Sequence, residues 1–502
     1  MAMWKTEERR FEALAVSAVV ALGALGVLVL WAPGVTSASG TGCTAVVTGE
    51  NPGHNAIQLA INAHPGGVIC VAAGSYPEQV TISSSNTVLK GAGPAKTILE
   101  PSAPLTLNTY DYDTYGGPTA VPAAAIVLVE GASGDPTTGV TGVLLEDLQV
   151  NGAAGSTTPA FNGCGVGYFG VDFQASSGTL VAADVLNVAM TAANFGCQTG
   201  TGLAVYAYNG HFNFAGTNHV PDAVVVSHTL VTGFQKNGIT CDDPQESCTL
   251  TADTVTGIGP TSLTAQNGIQ IGFGAYGAIT LNHVSQAGTY TGAAGCPVGD
   301  QDNYANCSGN EGAGILLYDS ASGSLVRSNV VSRTESGIYY YDDGTMDGGS
   351  ASTTISHNAV YSSNAYGIVA DGAPGGGDSV TITFNAVNNR PVLDPTVWGA
   401  PGILVDTGTF HISGNSLSGS KAVLGASNGV SQAVCGPSTP GAWWSPYYSC
   451  ATNQSTPTAA IEGASENASN PTTMIVFSNV YTLDSYRLST LGVLGGTVDV
   501  LT

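Results

Sequence analysis

A short pattern that recurs through the second half of the chain limits its fold more than any other feature of the sequence. The pattern is an apolar residue, two spacers, an Asn, one spacer and a second apolar residue, and its copies lie about 27 to 30 residues apart. The four clear copies are 326–331, 355–360, 382–387 and 412–417. A Gly-Ile pair opens a second, β-rich tetrad at 314–317, 337–340, 367–370 and 402–405. Each repeat therefore predicts two or three short strands and almost no helix.

Repeats of this size predict a β-solenoid. A single unit cannot bury a core, but stacked units share one interior and form hydrogen bonds from strand to strand along the stack. The recurring Asn fits this arrangement, because an inward amide at each corner can bond the bent backbone and the amide of the next coil. We therefore expect a column of Asn residues with no catalytic role, formed by Asn329, Asn358, Asn385 and Asn415. In the weaker, earlier coils we expect the same position to be held by Asp184, Thr229, Asp253 and Asn282.

These repeats resemble those of the right-handed parallel β-helix proteins, the superfamily of pectate lyases and polygalacturonases. The resemblance, and not the spacing, implies a right-handed winding. Residues 54–100 also resemble the opening of that fold, because helical spacing of apolar residues over 57–63 is followed by short extended runs. We therefore expect an all-β fold, a right-handed parallel β-helix (β-solenoid) with a short N-terminal capping helix.

No linker divides the repeats, so we expect one elongated domain after an N-terminal signal segment. A stretch rich in Pro, Tyr and Asp around 110–115 predicts a long projecting loop. The expected boundaries are 1–40 for the signal segment and 41–502 for the domain, divided into 41–100 for the cap and first coils, 101–124 for the loop, 125–429 for the coils and 430–502 for a C-terminal loop and last coil.

The first 40 residues predict export from the cytoplasm. Lys5, Arg9 and Arg10 precede an uncharged run over 13–31. Because this run is longer than a usual cleaved signal and close to the roughly 20 residues that span a bilayer, a cleaved signal peptide and an uncleaved signal anchor both remain open. We expect an extracellular protein, either secreted or anchored at the cell surface, that meets the membrane only through this segment.

The cysteines favour disulfides, as is typical of an exported chain. Their number, ten, is even, and they occur as neighbours along the sequence. Metal ligation is disfavoured, because the sequence contains no CxxC motif and no cluster of His. The sequence leaves the connectivity open, and the neighbouring pairs are Cys43 and Cys70, Cys164 and Cys197, Cys241 and Cys248, Cys296 and Cys307, and Cys435 and Cys450.

The charge balance excludes some classes of partner. Only 9% of the residues are charged and the formal net charge is −24. Since there is no basic patch to neutralise phosphates, we expect no nucleic-acid partner. The same deficit argues, more weakly, against a polyanionic sugar chain such as pectate unless calcium bridges the two.

Carboxylates follow each Gly-Ile strand at nearly the same distance along the chain. Coils stack about 4.8 Å apart, so in register these residues would form an acidic stripe with the separations that glycoside hydrolysis uses. Two carboxyl groups that close together also favour one of them keeping its proton. No cofactor is required, although calcium could bind through the same oxygens. The candidate catalytic residues are Asp319, Asp342, Asp343 and Asp371, and Asp242, Asp243 and Asp406 occupy similar places.

Tyrosines beside these carboxylates suggest a binding surface. We expect Tyr318, Tyr339 and Tyr341 to bind substrate, because tyrosines on a carboxylate-lined face can stack on sugar rings and bond to them. The bland alternative is that the tyrosines are ordinary strand residues and that Asp343-Gly344 and Asp371-Gly372 are ordinary turns.

Two classes of function remain. One is a polysaccharide hydrolase or lyase, or a polysaccharide binder, acting in a groove beside the Gly-Ile strands. The double Asp of polygalacturonases has counterparts in Asp242-Asp243 and Asp342-Asp343, whereas the other motifs of that family have none. The second class is a non-catalytic structural or adhesin-like protein of the cell surface, which the same fold can support.

Overall fold

The computed structural model of the chain describes 42–48, 55–101, 104–111, 121–131, 139–153, 164–191, 194–197, 199–206, 221–259, 261, 264–287, 312–344, 351–363, 366–373, 377–388, 402–420, 422–426, 459–464, 472–477, 480–483 and 497–501. Met1–Cys43 and Thr44–Thr502 are separate compact units. The predicted signal segment, 1–40, lies outside the described residues. No helix within the described part of the chain has both the length and the apolar character needed to cross a membrane.

The second unit is built from three long sheets, and successive strands of the chain enter successive sheets. Sheet 1 consists of β1 (Ala45–Val47), β2 (Val68–Val71), β5 (Val88–Lys90), β9 (Val143–Glu146), β12 (Gly178–Val181), β15 (Asp222–Ser227), β18 (Glu246–Thr251), β21 (Tyr276–Thr280), β24 (Leu325–Arg327), β27 (Ser352–Ser356), β30 (Ser379–Thr383), β33 (Gly408–Ser413), β37 (Thr472–Phe477) and β39 (Thr497–Leu501). Sheet 2 consists of β3 (Gly74–Tyr76), β6 (Thr97–Leu99), β10 (Gln149–Asn151), β13 (Asp184–Leu186), β16 (Leu230–Thr232), β19 (Thr254–Thr256), β22 (His283–Ser285), β25 (Val330–Ser332), β28 (Ala359–Tyr361), β31 (Ala386–Asn388), β34 (Ser416–Ser420) and β38 (Val480–Leu483).

The Gly-Ile strands form sheet 3, and the predicted parallel β-helix is confirmed. Sheet 3 consists of β4 (Val80–Ile82), β7 (Thr109–Asp111), β8 (Val121–Glu130), β11 (Gly167–Gln174), β14 (Thr201–Tyr206), β17 (Asn237–Asp242), β20 (Asn267–Gly272), β23 (Ala313–Tyr318), β26 (Ser336–Tyr341), β29 (Tyr366–Asp371), β32 (Ile403–Asp406), β35 (Ala422–Ala426) and β36 (Ala459–Ala464). Every described strand pair is parallel except β7 with β8.

The Gly-Ile pairs build the wall of the core on sheet 3. Ile315, Ile338 and Ile368 are register partners in neighbouring strands, and all three are fully buried. The preceding glycine is required by close approach: a Cβ on Gly337 would lie 2.3 Å from the carbonyl oxygen of Gly367. The glycine therefore lets adjacent coils come together, while the Ile fills the interior between them.

The predicted column of asparagines is confirmed at the corner between sheets 1 and 2. Asn358 Oδ1 accepts hydrogen bonds from the backbone N–H of Asn329 at 2.9 Å and from its Nδ2 at 3.0 Å. In turn, Asn358 Nδ2 donates to Val326 O at 3.0 Å and to Asn385 Oδ1 at 2.9 Å. The same contacts continue to Asn415. We call this column the Asn ladder; it satisfies the buried polar groups of each bend with those of the next coil.

The ladder extends into the earlier coils with a change of residue type. Asp253 N–H donates to Asn282 Oδ1 at 2.8 Å, and Thr229 N–H donates to Asp253 Oδ1 at 2.9 Å. The prediction for Asp184 is wrong, because its register partner is Leu230 and the ladder position belongs to buried Ala183. The sequence fits the pattern at both positions, so a shift of one residue was not visible in it.

Backbone conformation explains why the corner recurs. The residue before each ladder position has a positive φ of 57 to 61° at Leu281, Ser328, His357 and Phe384. This left-handed conformation costs energy for residues with a side chain. Because it bends the chain from sheet 1 into sheet 2, the hydrogen bonds of the following amide must compensate for it.

The N-terminal cap is confirmed as the helix α1 (Ala56–Ala63), which buries Ile57 and Ile61. Its first turn is held by Glu78, whose carboxylate accepts the N–H of Ile57 at 3.0 Å and of Gln58 at 3.1 Å. An acceptor at this end satisfies backbone donors that lack a partner inside the helix.

The structure differs from the predicted loop boundaries. The loop expected over 101–124 contains β7 and the start of β8, which pair antiparallel on sheet 3. Thr109 and Asp111 are buried while Tyr110 is exposed, so this segment has the alternation of a strand, which its Tyr and Asp content hid.

Disulfides are present as expected of an exported chain. The pairs Cys164–Cys197 and Cys241–Cys248 are confirmed, and Cys43 and Cys70 are both disulfide-bonded. No described cysteine is free. The remaining cysteines lie outside the described residues and are Cys296, Cys307, Cys435 and Cys450.

Candidate functional site

The ends of the Gly-Ile strands bring the predicted carboxylates and tyrosines to one edge of sheet 3. Tyr318 of β23, Tyr341 of β26 and Asp371 of β29 are register partners, and Asp406 of β32 continues the row. Asp319 and Asp342 follow this row by one residue, and Asp343 follows it by two. The carboxylates of the predicted acidic stripe therefore lie in more than one register row, because they follow the glycine of the Gly-Ile pair by four, five or six positions.

Two of the predicted catalytic residues are buried and bonded to the backbone. Asp319 is 3% exposed and Asp342 is 1% exposed. Asp319 Oδ1 accepts the N–H of Asp343 at 2.7 Å, and Asp342 Oδ1 accepts the N–H of Gly344 at 2.7 Å. The phenol of Tyr340 donates to Asp342 Oδ2 at 3.3 Å. These two carboxylates therefore shape the turns that leave sheet 3.

The other two, Asp343 and Asp371, are half-buried and lie closer to solvent. Asp343 is tied to Asp319 through the backbone bond described above. The pKa of Asp319 is raised to about 8, chiefly by burial; the Asp343 N–H lowers it, and the charges of Asp343 and Asp342 contribute to the increase. At neutral pH Asp319 therefore holds a proton, directly behind a carboxyl group that solvent can reach.

Asp378 is a member of this cluster that sequence reasoning missed. Its Oδ1 accepts the N–H of Ala351 at 2.8 Å and its Oδ2 accepts the N–H of Ala373 at 2.6 Å. Burial raises the pKa of Asp378 to about 6, and the nearby Asp342 contributes to the increase. The residue precedes a sheet-1 strand, outside both repeating patterns, so no signal in the repeats pointed to it.

Aromatic rings follow one another across three coils at the same edge. The ring centroids of Phe273 and Tyr318 are 5.1 Å apart, those of Tyr318 and Tyr341 are 5.1 Å apart, and those of Tyr339 and Tyr341 are 6.3 Å apart. We call these four residues the aromatic row. Phe273, Tyr318 and Tyr339 are half-buried. Burial raises the pKa of the Tyr341 phenol, with Asp371 as the next contributor, so the phenol remains a hydrogen-bond donor.

Phe273 was also missed by sequence reasoning. It directly follows Gly272, the register partner of Tyr318, and its φ is +52°. Its N–H donates to Tyr318 O at 2.9 Å. The turn is thus fixed to the next coil, and the ring is held in line with the tyrosines. Its place just past a Gly-Ile type strand was the available signal.

Farther along sheet 3, Asp242 belongs to a buried polar network rather than to the half-buried edge. Gln270 Nε2 donates to Asp242 Oδ2 at 2.8 Å. Asn267 Nδ2 donates to Gln270 Oε1 at 3.0 Å and Asn237 Nδ2 donates to Thr240 Oγ1 at 2.8 Å. All five side chains are at least nine-tenths buried, so this network orders the sheet next to the aromatic row.

The possible calcium site gains no support from the geometry. Within the described ranges, no group of three or more His, Cys, Asp or Glu side chains is arranged to hold a metal ion. The carboxylates Asp319, Asp342 and Asp378 instead accept backbone N–H groups.

A family model supports the right-handed winding over part of the chain. Residues 212–417 match the family described as "Right handed beta helix region". Similar solved structures include the periplasmic alginate epimerase AlgG (10% identity, 88% of this chain, 79% of that chain, TM-score 0.43) and the A-module of the mannuronan C-5 epimerase AlgE6 of Azotobacter vinelandii (12%, 88%, 93%, 0.43). A family 28 exopolygalacturonase of Yersinia enterocolitica is also similar (12%, 74%, 72%, 0.40). No curated protein sequence matches the chain.

Proposed function

We propose that this chain, a right-handed parallel β-helix protein, binds and hydrolyses an extracellular polysaccharide in a groove on the outer edge of sheet 3. The observation that carries the proposal is the aromatic row beside half-buried Asp343 and Asp371. The epimerases and the exopolygalacturonase named above act on polysaccharides by their names, but the proposal depends on the geometry of this site.

The groove offers both kinds of contact that a sugar ring uses. Aromatic faces pack against the apolar C–H face of a sugar, and phenol and carboxylate groups form hydrogen bonds with its hydroxyls. Tyr318 and Tyr339 present half-buried rings, and Asp371 occupies the next register position after Tyr341. A chain of sugars lying across the coils would meet rings first and carboxylates next.

The carboxyl groups supply an acid and a base. Asp319, with its pKa raised to about 8, supplies a proton to Asp343. Asp343 donates that proton to the glycosidic oxygen as the bond to the anomeric carbon breaks. Asp371 lies on the neighbouring strand, two register positions before Asp343, and takes a proton from the water that adds to that carbon, an arrangement that leaves room for the water between the two carboxyl groups. Asp343 and Asp371 are thus the catalytic residues, while Asp319 and Asp342 are positioning residues.

Export to the outside of the cell is part of the proposal. The charged and apolar N-terminal segment directs the chain to the membrane, and disulfides such as Cys241–Cys248 persist in an oxidising compartment. The protein is then secreted or remains anchored at the cell surface, where polysaccharide is available.

The test is a screen of neutral and acidic polysaccharides for new reducing ends and for unsaturated products. Asp343→Asn and Asp371→Asn should each lower the rate by about 100-fold or more. Asp184→Asn, a half-buried carboxylate on sheet 2, is the matched control and should leave it unchanged. Unsaturated products would show that the enzyme is a lyase and not a hydrolase.

A non-catalytic structural or adhesive role at the cell surface is the second candidate. It is favoured by one observation: Asp319 and Asp342 accept backbone N–H groups, as turn residues do. If the protein neither cleaves nor binds any polysaccharide in the panel, that result would support this role and overturn the first proposal.

A further inference from the structure

The corner between sheets 1 and 2 carries two large rings where the fold needs only a small residue. The residue before each ladder position is held at a positive φ, and Ala252 and Gly414 fill this place at 58° and 67°. In the two coils before Gly414 the same place is filled by His357 and Phe384, at 58° and 57°. Because a positive φ disfavours residues with a side chain, and a ring adds nothing to the bend, the bend alone does not explain these two residues.

The two rings form a stacked pair that solvent can reach. Their centroids are 5.1 Å apart, with 30° between the ring planes. Phe384 is 59% exposed, and its ring packs against Gly414, where a Cβ would lie 2.6 Å from the ring. Nδ1 of His357 is buried and forms no hydrogen bond within the described structure. Ring contacts therefore hold the pair against the coils and leave part of the Phe384 ring open to a ligand.

Arg327 places a positive charge beside this pair. It ends β24, and its register partner is Ser356, the residue before His357. Burial and, after it, the charge of Arg327 lower the pKa of His357, so the imidazole is neutral at neutral pH. Arg327 is exposed, and within the described structure it forms no ion pair, in contrast to Lys90. Its guanidinium can therefore bind an anion.

The strands on both sides of this corner differ from those of the earlier coils in their charge. The segment that runs from the sheet-1 strand to the sheet-2 strand contains a carboxylate in earlier coils, such as Glu146, Asp184 or Glu246. In five successive later coils the same described segment contains no Asp or Glu. Since charges farther than about 8 Å are largely screened at physiological salt, the local charge at Arg327, and not the net charge of the chain, decides which ligands approach it. The five segments are 276–285, 325–332, 352–361, 379–388 and 408–418.

We propose that Arg327, His357 and Phe384 form a glycan-binding site, separate from the groove on sheet 3, for a chain of sugars that carries anionic groups. The guanidinium binds a carboxylate or a sulfate group with two hydrogen bonds, and the ring of Phe384 packs against the C–H groups of a sugar. The three residues lie on three consecutive coils, so the site spans two coil steps, about 10 Å. An extended chain fills this length, whereas a small anion contacts only Arg327.

Affinity electrophoresis of the full chain in gels that contain alginate, dextran sulfate or neutral dextran tests the site. The unchanged protein should be retained by at least one of the two anionic glycans more strongly than by dextran, and this retention should decrease as salt is added. Alginate and dextran sulfate distinguish a carboxylate ligand from a sulfate ligand. Arg327→Gln should weaken the retention by about tenfold. Arg333→Gln is the matched control, because Arg333 is also exposed and follows β25 of the same coil at its other end, and it should bind as the unchanged protein does.

Phe384→Gly removes the ring and keeps the fold. Glycine suits the φ of +57° at this corner, as Gly414 does in the next coil. The variant should therefore unfold at the same denaturant concentration as the unchanged protein or at a higher one, and its retention by the anionic glycan should fall by about tenfold. Phe384→Tyr keeps a ring at the same place and should keep the retention.

Three results would overturn this inference: no retention by either anionic glycan, equal retention by dextran, or retention that Arg327→Gln or Phe384→Gly leaves intact. The site does not depend on cleavage in the groove. Because cleavage and its loss in Asp343→Asn are measured separately, either proposal can fail while the other stands.

Discussion

The Asn ladder and the acidic edge of sheet 3 are both built from buried polar side chains, yet they use them in opposite ways. In the ladder, each amide donates and accepts, and its partners are the same groups one coil away. At the edge, Asp319, Asp342 and Asp378 are acceptors that face one another, and burial raises the pKa of two of them. The comparison shows that a repeated amide is self-sufficient, whereas a carboxylate in a similar place depends on a proton.

Asp253 is the direct link between these regions, because it is a carboxyl group inside the ladder. Its Oδ1 accepts the N–H of Thr229, but its Oδ2 is buried and forms no hydrogen bond within the described structure. Burial raises the pKa of Asp253 to about 7. An acid at this place in the ladder is therefore protonated only below about pH 7.

The largest effect is expected from breaking the ladder with Asn358→Ala. The change leaves Val326 O and the backbone and side-chain N–H groups of Asn329 without their partner. At about 1–3 kcal/mol for each buried group, the free energy of unfolding should fall by roughly 4 kcal/mol. Denaturant unfolding at fixed pH measures this. Asn62→Ala, an exposed site on α1, should change it by less than about 0.5 kcal/mol; equal losses in both variants would contradict the ladder's role.

The next effect is a fall in stability as the pH rises. A carboxyl group whose pKa is higher in the folded than in the unfolded chain stabilises the fold below its unfolded value, near 4, and this stabilisation is lost as the pH passes its folded value. The folded values are about 6 for Asp378, about 7 for Asp253 and about 8 for Asp319. The free energy of unfolding should therefore fall continuously from about pH 4 to pH 9.

Urea unfolding across this pH range provides the measurement. The net charge of −24 also destabilises the fold as the pH rises, so Asp319→Asn is needed to isolate the contribution of this carboxyl group. The variant should show a shallower dependence above about pH 6. Stability that increases with pH over this range would show that the buried carboxyl groups are ionised in the fold.

A smaller gain is expected from completing the ladder with Asp253→Asn. In the next coil, Asn282 Nδ2 donates to Leu250 O and to Asn329 Oδ1. The register partner of Leu250 is Val226, so an amide at 253 gains Val226 O and keeps the bond to Thr229. The free energy of unfolding should increase by about 1 kcal/mol at pH 8 and by less at pH 5. A decrease at both pH values would mean that the acid has a role that the amide cannot fill.

The smallest effect is expected from Tyr340→Phe at the acidic edge. The change removes a phenol that donates to Asp342 Oδ2 at 3.3 Å, a longer contact than those within the ladder. The expected loss is about 1 kcal/mol. Tyr168→Phe, which removes a 2.8 Å bond to Gly152 O from another buried tyrosine, is the reference. A much larger loss of stability for Tyr340→Phe would show that the acidic edge stabilises the fold as strongly as the Asn ladder does.

The two regions also differ in how far the sequence predicts them. The column through Asn329 and Asn358 was predictable, because one residue type recurs at one place in every coil. The prediction that Asp184 belongs to the ladder failed, because the pattern fits equally well when it is shifted by one residue. The burial of Asp319 depends on a bond from Asp343 in the next coil, and Phe273 lies in a turn of unrepeated length. Contacts between coils that do not repeat leave no periodic signal.

The aromatic row crosses three coils whose strands β20, β23 and β26 pair in sequence, each with the next. During evolution such a platform changes length in whole turns of the chain, since a partial insertion would displace every later side chain from its column. A gained or lost turn adds or removes the rings of one coil and leaves the others in place. The length of the groove therefore changes in steps of one coil. Homologues that bind longer or shorter ligands should differ by whole coils.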